Sequence, residues 1–402
     1  MSERARADEV YAELLTRQGE QWVEPRIERT RRLLEYLDDP QRTYRVIHIT
    51  GTNGKTSTAR LIESLLRSLG LRTGLFTSPH LIRFTERIVV DGEPIADAAV
   101  VAAWDEIAPF VALVDAQLAE AGDAPLTFFE LLTVLAFVAF SDAPVDVAVV
   151  EVGMGGAWDS TNTADGDVAV FTPVGLDHTD RLGETLVEIA SVKSGIIKPD
   201  AVVVSARQDP GVAAVLRNAA AQASARIAFE GSDFGLAEQK LAVGGQLLTV
   251  RGLAGEYPEL YLPLHGAHQG QNAALAVAAV EALVGGGSRE LSADAILEAW
   301  AEVSSPGRLH LAGIDPTVLV DAAHNPHGAA ALAAALQQSF DFPEWGVVLG
   351  VLDDKDVNGI VDALAPVAAH VFATAPSSDR ASDEDTVADA AERRGLAVTV
   401  HR

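Results

Sequence analysis

Apolar positions change their spacing along this chain in a regular way. Val46, Ile47 and Ile49 form a short run that stops at Gly51, and Ile62, Leu65, Leu66 and Leu69 then recur at helical spacing before Gly70. The first pattern predicts a buried strand, the second an amphipathic helix with a glycine stop. Residues 145–152, 168–172 and 201–205 are near-continuous apolar runs, as central parallel strands require. Residues 128–140 are also apolar, but Glu130 interrupts them and their length fits a buried helix. Residues 1–43 are mostly polar and helical in pattern, with Ile27, Leu33, Leu34 and Leu37 as apolar contacts. This alternation predicts a doubly wound, mostly parallel α/β sheet. From about residue 236 to 264 short runs between glycines predict a small antiparallel sheet, and residues 269–283 an Ala-rich helix. Ser304-Ser305-Pro306-Gly307 reads as a hinge. Three further runs, 317–320, 346–351 and 370–374, predict a second, smaller α/β domain. The expected organisation is a domain over 1–303, a linker over 304–308 and a domain over 309–402.

Composition narrows the function classes. The chain has 30 basic and 57 acidic residues, a net charge of −27, which disfavours nucleic acid and anionic membranes as partners. No apolar run is long enough for a membrane span, and Met1-Ser2-Glu3-Arg4 lacks the apolar core of a signal peptide. Cysteine is absent, so disulfides and thiolate ligands are excluded. A cytoplasmic protein is expected. Lysine is scarce, at positions 55, 193, 198, 240 and 355, which makes the lysines within motifs conspicuous.

The chemistry begins at Gly51-Thr52-Asn53-Gly54-Lys55-Thr56-Ser57, between the first strand and its helix. Glycines let backbone N–H groups approach phosphates, and the helix N-terminus adds positive potential. Lys55 can reach terminal phosphates, and a hydroxyl from Thr56 or Ser57 can meet Mg²⁺; which of the two is open. The match to the common phosphate loop is imperfect, because Ile49 stands where that pattern has its first glycine. Glu151 ends the 145–150 run and precedes Gly153, Gly155 and Gly156. A carboxylate at the carboxyl end of a strand, opposite a phosphate loop, is placed to hold Mg²⁺. His178 follows the 168–172 run in the same way. Leu186, Ile189, Ala190, Lys193 and Ile196–Ile197 share one helical face, so Lys193 projects from an apolar stripe. Burial lowers an ammonium pKa, and a neutral amine can capture CO₂ as a carbamate. A snorkelling or ion-paired lysine is the alternative.

These segments resemble those of the folylpolyglutamate synthase and dihydrofolate synthase family within the Mur ligase superfamily. Gly-Thr-Asn-Gly-Lys-Thr is similar to its phosphate loop. Glu151-Val-Gly-Met-Gly-Gly-Ala-Trp-Asp-Ser-Thr-Asn162, Asp177-His178 with Leu182-Gly183, Lys193-Ser-Gly-Ile196, Thr77-Ser78-Pro79-His80-Leu81 with Phe84 and Glu86-Arg87-Ile88, and Asp321-Ala-Ala-His-Asn-Pro326 follow in the family's order. The resemblance implies an N-terminal P-loop ATPase-type domain and a C-terminal Rossmann-like glutamate ligase domain. It implies Lys55, Glu151, His178 and Lys193 as catalytic, with Lys193 carbamylated. Gly51, Thr52, Asn53, Gly54, Lys55, Thr56, Ser57, Asn272, Arg308, Asp321 and His324 would bind ATP. Thr56, Ser57, Ser78, Glu151 and His178 would serve two Mg²⁺ ions, with K⁺ as a further ion. Pro79, His80, Phe84 and Arg87 would line the folate pocket. The implied substrates are ATP, L-glutamate and dihydropteroate or a reduced folate, joined through an acylphosphate by a monomer whose two domains close over ATP. Three departures stand out: Ala157 replaces the family's usual Arg, Thr56 a Gly, and Ala322 another Gly. Rival readings are a Mur-type ligase acting on a peptidoglycan precursor, a nucleotide-dependent switch, and a non-catalytic nucleotide-binding homologue.

Overall fold

The computed structural model describes residues 2–19, 25–378 and 380–402. The helical expectation for residues 1–43 therefore touches Met1 and residues 20–24, which lie outside the described residues. The chain divides into two compact units. One comprises residues 1–238, 248–261 and 271–303, the other residues 239–247, 262–270 and 304–402.

In the first unit eight strands form one sheet. They are β1 (Arg45–Thr50), β2 (Thr73–Phe76), β3 (Ile88–Val90), β4 (Glu93–Pro94), β5 (Val147–Glu151), β6 (Val168–Phe171), β7 (Val202–Ser205) and β8 (Arg226–Phe229). Their order is β4-β3-β2-β5-β1-β6-β7-β8. The pairings β2–β3 and β3–β4, at one edge, are antiparallel and the others are parallel. The 145–152 run is thus a central parallel strand, with every residue of β5 buried. Helices cover both faces: α1 (Glu3–Leu15), α2 (Ile27–Tyr36), α3 (Lys55–Ser68), α4 (Asp97–Glu120), α5 (Phe128–Asp142), the short α6 (Thr179–Leu182), α7 (Leu186–Lys193), α8 (Pro210–Gln222), α9 (Ala267–Gly285) and α10 (Ala293–Trp300). α5 is apolar on all sides because it is enclosed, and Thr127 and Glu130 cap its start reciprocally. Val46, Ala148 and Val150 join α1, α4 and α5 in one core, and Ala169, Phe171 and Val203 join α7 and α8 in another.

The strand order creates the site. β1 lies between β5 and β6, with Ile49 opposite Glu151 and Thr50 opposite Phe171. The chain leaves β1 towards β2 on one side and continues from β5 to β6 on the other. Ligands collect at such a switch point, outside the carboxyl ends of the strands.

Strands β9 (Gly235–Ala242), β10 (Gly245–Arg251) and β11 (Glu256–Leu262) form the expected small sheet, in the order β11-β10-β9. In the second unit, among the described residues beyond 303, there are five strands where three were expected. β12 (His310–Ile314) and β13 (Thr317–Val320) form an antiparallel pair, while β14 (Trp345–Leu349), β15 (Ala368–Thr374) and β16 (Ala397–His401) form a parallel sheet. β12 and β16 bury little, as β13 does too. α11 (Pro326–Ser339), α12 (Val357–Leu364) and α13 (Glu384–Glu392) complete this unit. No helix among the described residues is long and apolar enough to cross a membrane.

Candidate active site

Gly51 and Gly54 make the turn between β1 and α3 possible. Both have positive φ, at 147° and 87°. A Cβ on Gly51 would lie 1.9 Å from Thr172 Oγ1, and one on Gly54 would lie 2.8 Å from Asn272 Oδ1. The loop is therefore pressed between the end of β6 and α9, which places Asn272 at its edge. Thr52 ties it to the next segment, donating its N–H to Pro173 O at 2.9 Å while its hydroxyl accepts from Gly175 N at 2.9 Å. Lys55 Nζ donates to Thr52 O at 3.2 Å. Asn53 also lies on this turn, as does the N-terminal turn of α3, whose N–H groups point out of the helix.

Register brings Glu151 to this loop. Its two carboxylate oxygens lie 3.1 and 3.0 Å from Thr56 Oγ1, which shares one proton between them. Ser78 N approaches the same carboxylate at 3.4 Å. Thr56 is thus the hydroxyl that meets Glu151 directly, whereas Ser57 is buried on α3. His178 sits in the left-handed region (φ 49°) as the residue before α6, with Asp177 Oδ1 accepting from its backbone N at 2.9 Å. No group of three or more His, Asp or Glu side chains converges like a preformed metal cage among the described residues. An all-oxygen set of one carboxylate and one hydroxyl still suits Mg²⁺, which keeps waters and takes remaining ligands from phosphate oxygens.

Lys193 ends α7 and is buried. Its Nζ donates to Gly51 O at 2.8 Å. Burial, reinforced by the charge of Lys55, pushes its pKa down to about 7, and Asp177 and Asp159 offset part of that effect. A substantial fraction of this amine is therefore neutral at physiological pH. The glycine-rich loop after Glu151 packs directly on the lysine. Ala157 N donates to Val192 O at 2.9 Å, and a Cβ on Gly156 would sit 2.7 Å from Lys193 O. Gly195 is needed for the same reason, since a Cβ there would lie 2.3 Å from that of Ala157. These backbone contacts anchor the loop with Ala157 in place, where the side chain is exposed.

The 78–87 segment forms a neighbouring aromatic corner. Arg87 is buried and donates from Nε to His80 Nδ1 at 2.8 Å, with its guanidinium over the Phe128 ring. Glu86 shapes the loop by accepting from the backbone N–H groups of Leu81, Ile82 and Arg83. Pro79 is exposed, Phe84 is buried, and Tyr11 stacks on Phe84 with ring centroids 4.6 Å apart. Sequence reasoning missed Tyr11. Ala7, Val10, Tyr11 and Leu14 lie at helical spacing on α1, so the signal was there.

In the second unit Asp321 accepts from Leu309 N and Ala323 N, both at 2.7 Å. His324 donates from Nδ1 to Ala322 O at 2.9 Å and is exposed. His268 has its pKa lowered by burial, with Asp321 and Arg308 among the charges it feels. Arg308, Asp321 and His327 therefore gather around His268 in this unit.

Residues 49–280 match the Mur ligase middle domain, and residues 307–402 match the Mur ligase glutamate ligase domain. The dihydrofolate synthase/folylpolyglutamate synthase of Mycobacterium tuberculosis is 50% identical over 382 residues, covering 92% of this chain and 78% of that protein. The solved M. tuberculosis folylpolyglutamate synthase complexed with ADP superimposes with a TM-score of 0.94 at 48% identity, covering 100% of this chain and 89% of that one. An FPGS–AMPPCP–folate complex gives a TM-score of 0.85 at 34% identity, covering 98% and 96%. With the glycine loop, Glu151 and Lys193 gathered at one switch point, the chain belongs to the folylpolyglutamate synthase/dihydrofolate synthase family of Mur-type, ATP-dependent ligases.

Proposed function

We propose that this enzyme joins L-glutamate to the carboxylate of dihydropteroate, of a reduced folate, or of both. The observation that carries the reading is the convergence of two lysines and one carboxylate on a single glycine loop. Lys55 and Lys193 both donate to loop carbonyls, and Glu151 is bonded to Thr56 at its helix. Relatives complexed with ADP, or with AMPPCP and folate, support ATP and folate as ligands here.

The chain's residues divide the work by position. Lys55 and the N–H groups at the start of α3 offset phosphate charge. Glu151, Thr56 and Ser78 are the proposed Mg²⁺ side, with His178 assigned to a second ion by resemblance. Mg²⁺ held by these residues would supply positive charge that lessens the repulsion between the phosphates and an incoming carboxylate. The substrate carboxylate attacks the γ-phosphorus, the bond to ADP breaks, and an acylphosphate forms. The glutamate amine then attacks the acyl carbon, phosphate leaves, and the amine gives up a proton. Positioning and charge neutralisation dominate such a reaction.

Lys193 is the proposed carbamate. Its neutral amine adds to CO₂, an N–C bond forms, one proton is released, and an anion replaces the neutral amine beside the loop. The depressed pKa and the buried setting support this. Asn53 and Asn272 at the loop, and Arg308, Asp321 and His324 in the second unit, are proposed ATP contacts. Pro79, His80, Phe84 and Arg87 are proposed to border the folate. K⁺ as a further ion rests on resemblance alone.

Glutamate-dependent phosphate release, with dihydropteroate and tetrahydrofolate offered separately, tests the reading. Release with both establishes a bifunctional ligase, and release with one names the acceptor. Release with neither, from protein that binds ATP, refutes a folate acceptor and favours another Mur-type substrate.

A further inference from the structure

His48 lies in the middle of β1, fully buried, and nothing in the proposed reaction uses it. Its Nε2 is 2.9 Å from Thr161 Oγ1, and Thr161 Oγ1 is 2.5 Å from Asp159 Oδ1. Asp159 also accepts from Thr161 N at 3.0 Å and Met154 N at 2.9 Å. Burial raises the pKa of this carboxyl, and these donors oppose that by favouring the ionised form. Both oxygens of Asp159 accept from backbone N–H groups, which fits the carboxylate form, and Thr161 then spends its one proton on that carboxylate. Its oxygen can then only accept from His48, so the ring carries its proton on Nε2. The other nitrogen agrees: Nδ1 is buried with no hydrogen-bond partner, and a bare lone pair is cheaper to bury there than an N–H. Burial, with a smaller contribution from Lys198, pushes the pKa of His48 down to about 3, so the ring stays neutral.

The chain of bonds ends on the catalytic loop. Met154 belongs to the glycine-rich turn that starts at Glu151 and packs on Val192 and Lys193. The short turn Ser160–Thr163 holds the other side of that turn. Asn162 Nδ2 donates to Ala157 O and to Gly195 O, both at 3.0 Å, and Lys198 Nζ donates to Asn162 O at 2.8 Å. Ser160–Thr163 therefore clamps the residues after Glu151 to the residues after Lys193, and His48 fastens that clamp to the strand that ends in the phosphate loop.

We propose that His48 is a positioning residue for ligation: through Thr161 and Asp159 it fixes the turn that sets Glu151 and Lys193 against the phosphate loop, and so acts on turnover rather than on ATP affinity. This rests on the ligase reading above. Both the direct donor and the tautomer are testable.

The tautomer is read on the native full-length protein by ¹⁵N and ¹³C NMR of labelled histidine. A neutral Nε2–H ring for His48 from pH 6 to 8 is expected; a charged ring, or one protonated on Nδ1, overturns the proposal. This arm decides the matter even if no folate acceptor is turned over, so failure of the ligase reading is seen separately. The second arm compares His48→Gln, whose amide nitrogen can replace Nε2, with His48→Leu, which cannot donate. Gln should stay within about twofold of wild-type kcat. Leu should lose on the order of tenfold in kcat, the size of one unsatisfied buried hydrogen bond, with KM for ATP unchanged. Equal losses in the two variants would make His48 a packing residue only. Should the Leu variant not fold, Thr161→Val breaks the same relay one step later, and unchanged kcat there overturns the proposal equally.

Discussion

Replacing Lys193 by Met should make the CO₂-free protein more stable while removing its activity. The size follows from the site. A lysine whose pKa falls from 10.5 to about 7 on folding is penalised while protonated. At about 1.4 kcal/mol per pKa unit, the penalty is roughly 5 kcal/mol. Methionine fills similar space without charge. It leaves Gly51 O without its 2.8 Å donor, which costs about 1–3 kcal/mol. A net gain of roughly 2–4 kcal/mol is expected below pH 7. The sign with pH is fixed by linkage. Below pH 7 the amine is protonated in both states, so the wild-type penalty is complete. Between pH 7 and 10.5 only the unfolded chain holds the proton, so wild-type stability rises with pH and the penalty fades. By pH 9 it should have fallen by about 3 kcal/mol, leaving the two proteins nearly equal. Urea unfolding of bicarbonate-free protein at pH 6.5 and pH 9 measures the gap directly. A Met variant that is less stable at pH 6.5, or a gap that does not shrink by pH 9, would refute the buried, depressed amine and with it the route to a carbamate.

Three other outcomes are expected. Lys55→Ala should abolish turnover, because it removes the charge that faces the terminal phosphates; near-normal kcat in a phosphate-release assay would sink the loop assignment. Thr56→Val removes the hydroxyl that donates to Glu151 and should raise the Mg²⁺ concentration for half-maximal rate by at least about tenfold, read from a magnesium activation curve. An unchanged curve would move the metal role to Ser57. Tyr11→Ala removes the ring stacked on Phe84 and should raise KM for the folate acceptor by about tenfold, on the scale of one aromatic contact, with KM for ATP unaffected. An acceptor KM that does not move would separate this aromatic corner from the folate pocket.

What the sequence made legible was local. The burial of Lys193 follows from five apolar neighbours at helical spacing, and the phosphate-loop turn follows from two glycines between an apolar run and a helix. Pairings between distant segments left no such trace. Nothing in residues 145–151 says that β5 inserts between β2 and β1, yet that order is what puts Glu151 on Thr56. His48 reads as one polar position in an apolar strand, and Thr161 and Asp159 read as motif letters; only the register of the sheet joins them. Tyr11 does share an apolar spacing with Ala7, Val10 and Leu14, but its stacking on Phe84 joins segments far apart in the chain. That Thr56 bonds Glu151 depends on the helix phase at the first turn of α3, which a one-residue error reverses.

The central claim is that a substrate carboxylate is activated by phosphoryl transfer, and an isotope transfer reads it most directly. Dihydropteroate or tetrahydrofolate labelled with ¹⁸O in the reacting carboxylate is turned over with ATP and glutamate, and the released phosphate is weighed. Acylphosphate chemistry predicts one ¹⁸O in each phosphate and ADP as the nucleotide product. Unlabelled phosphate, or label recovered in AMP, would contradict it.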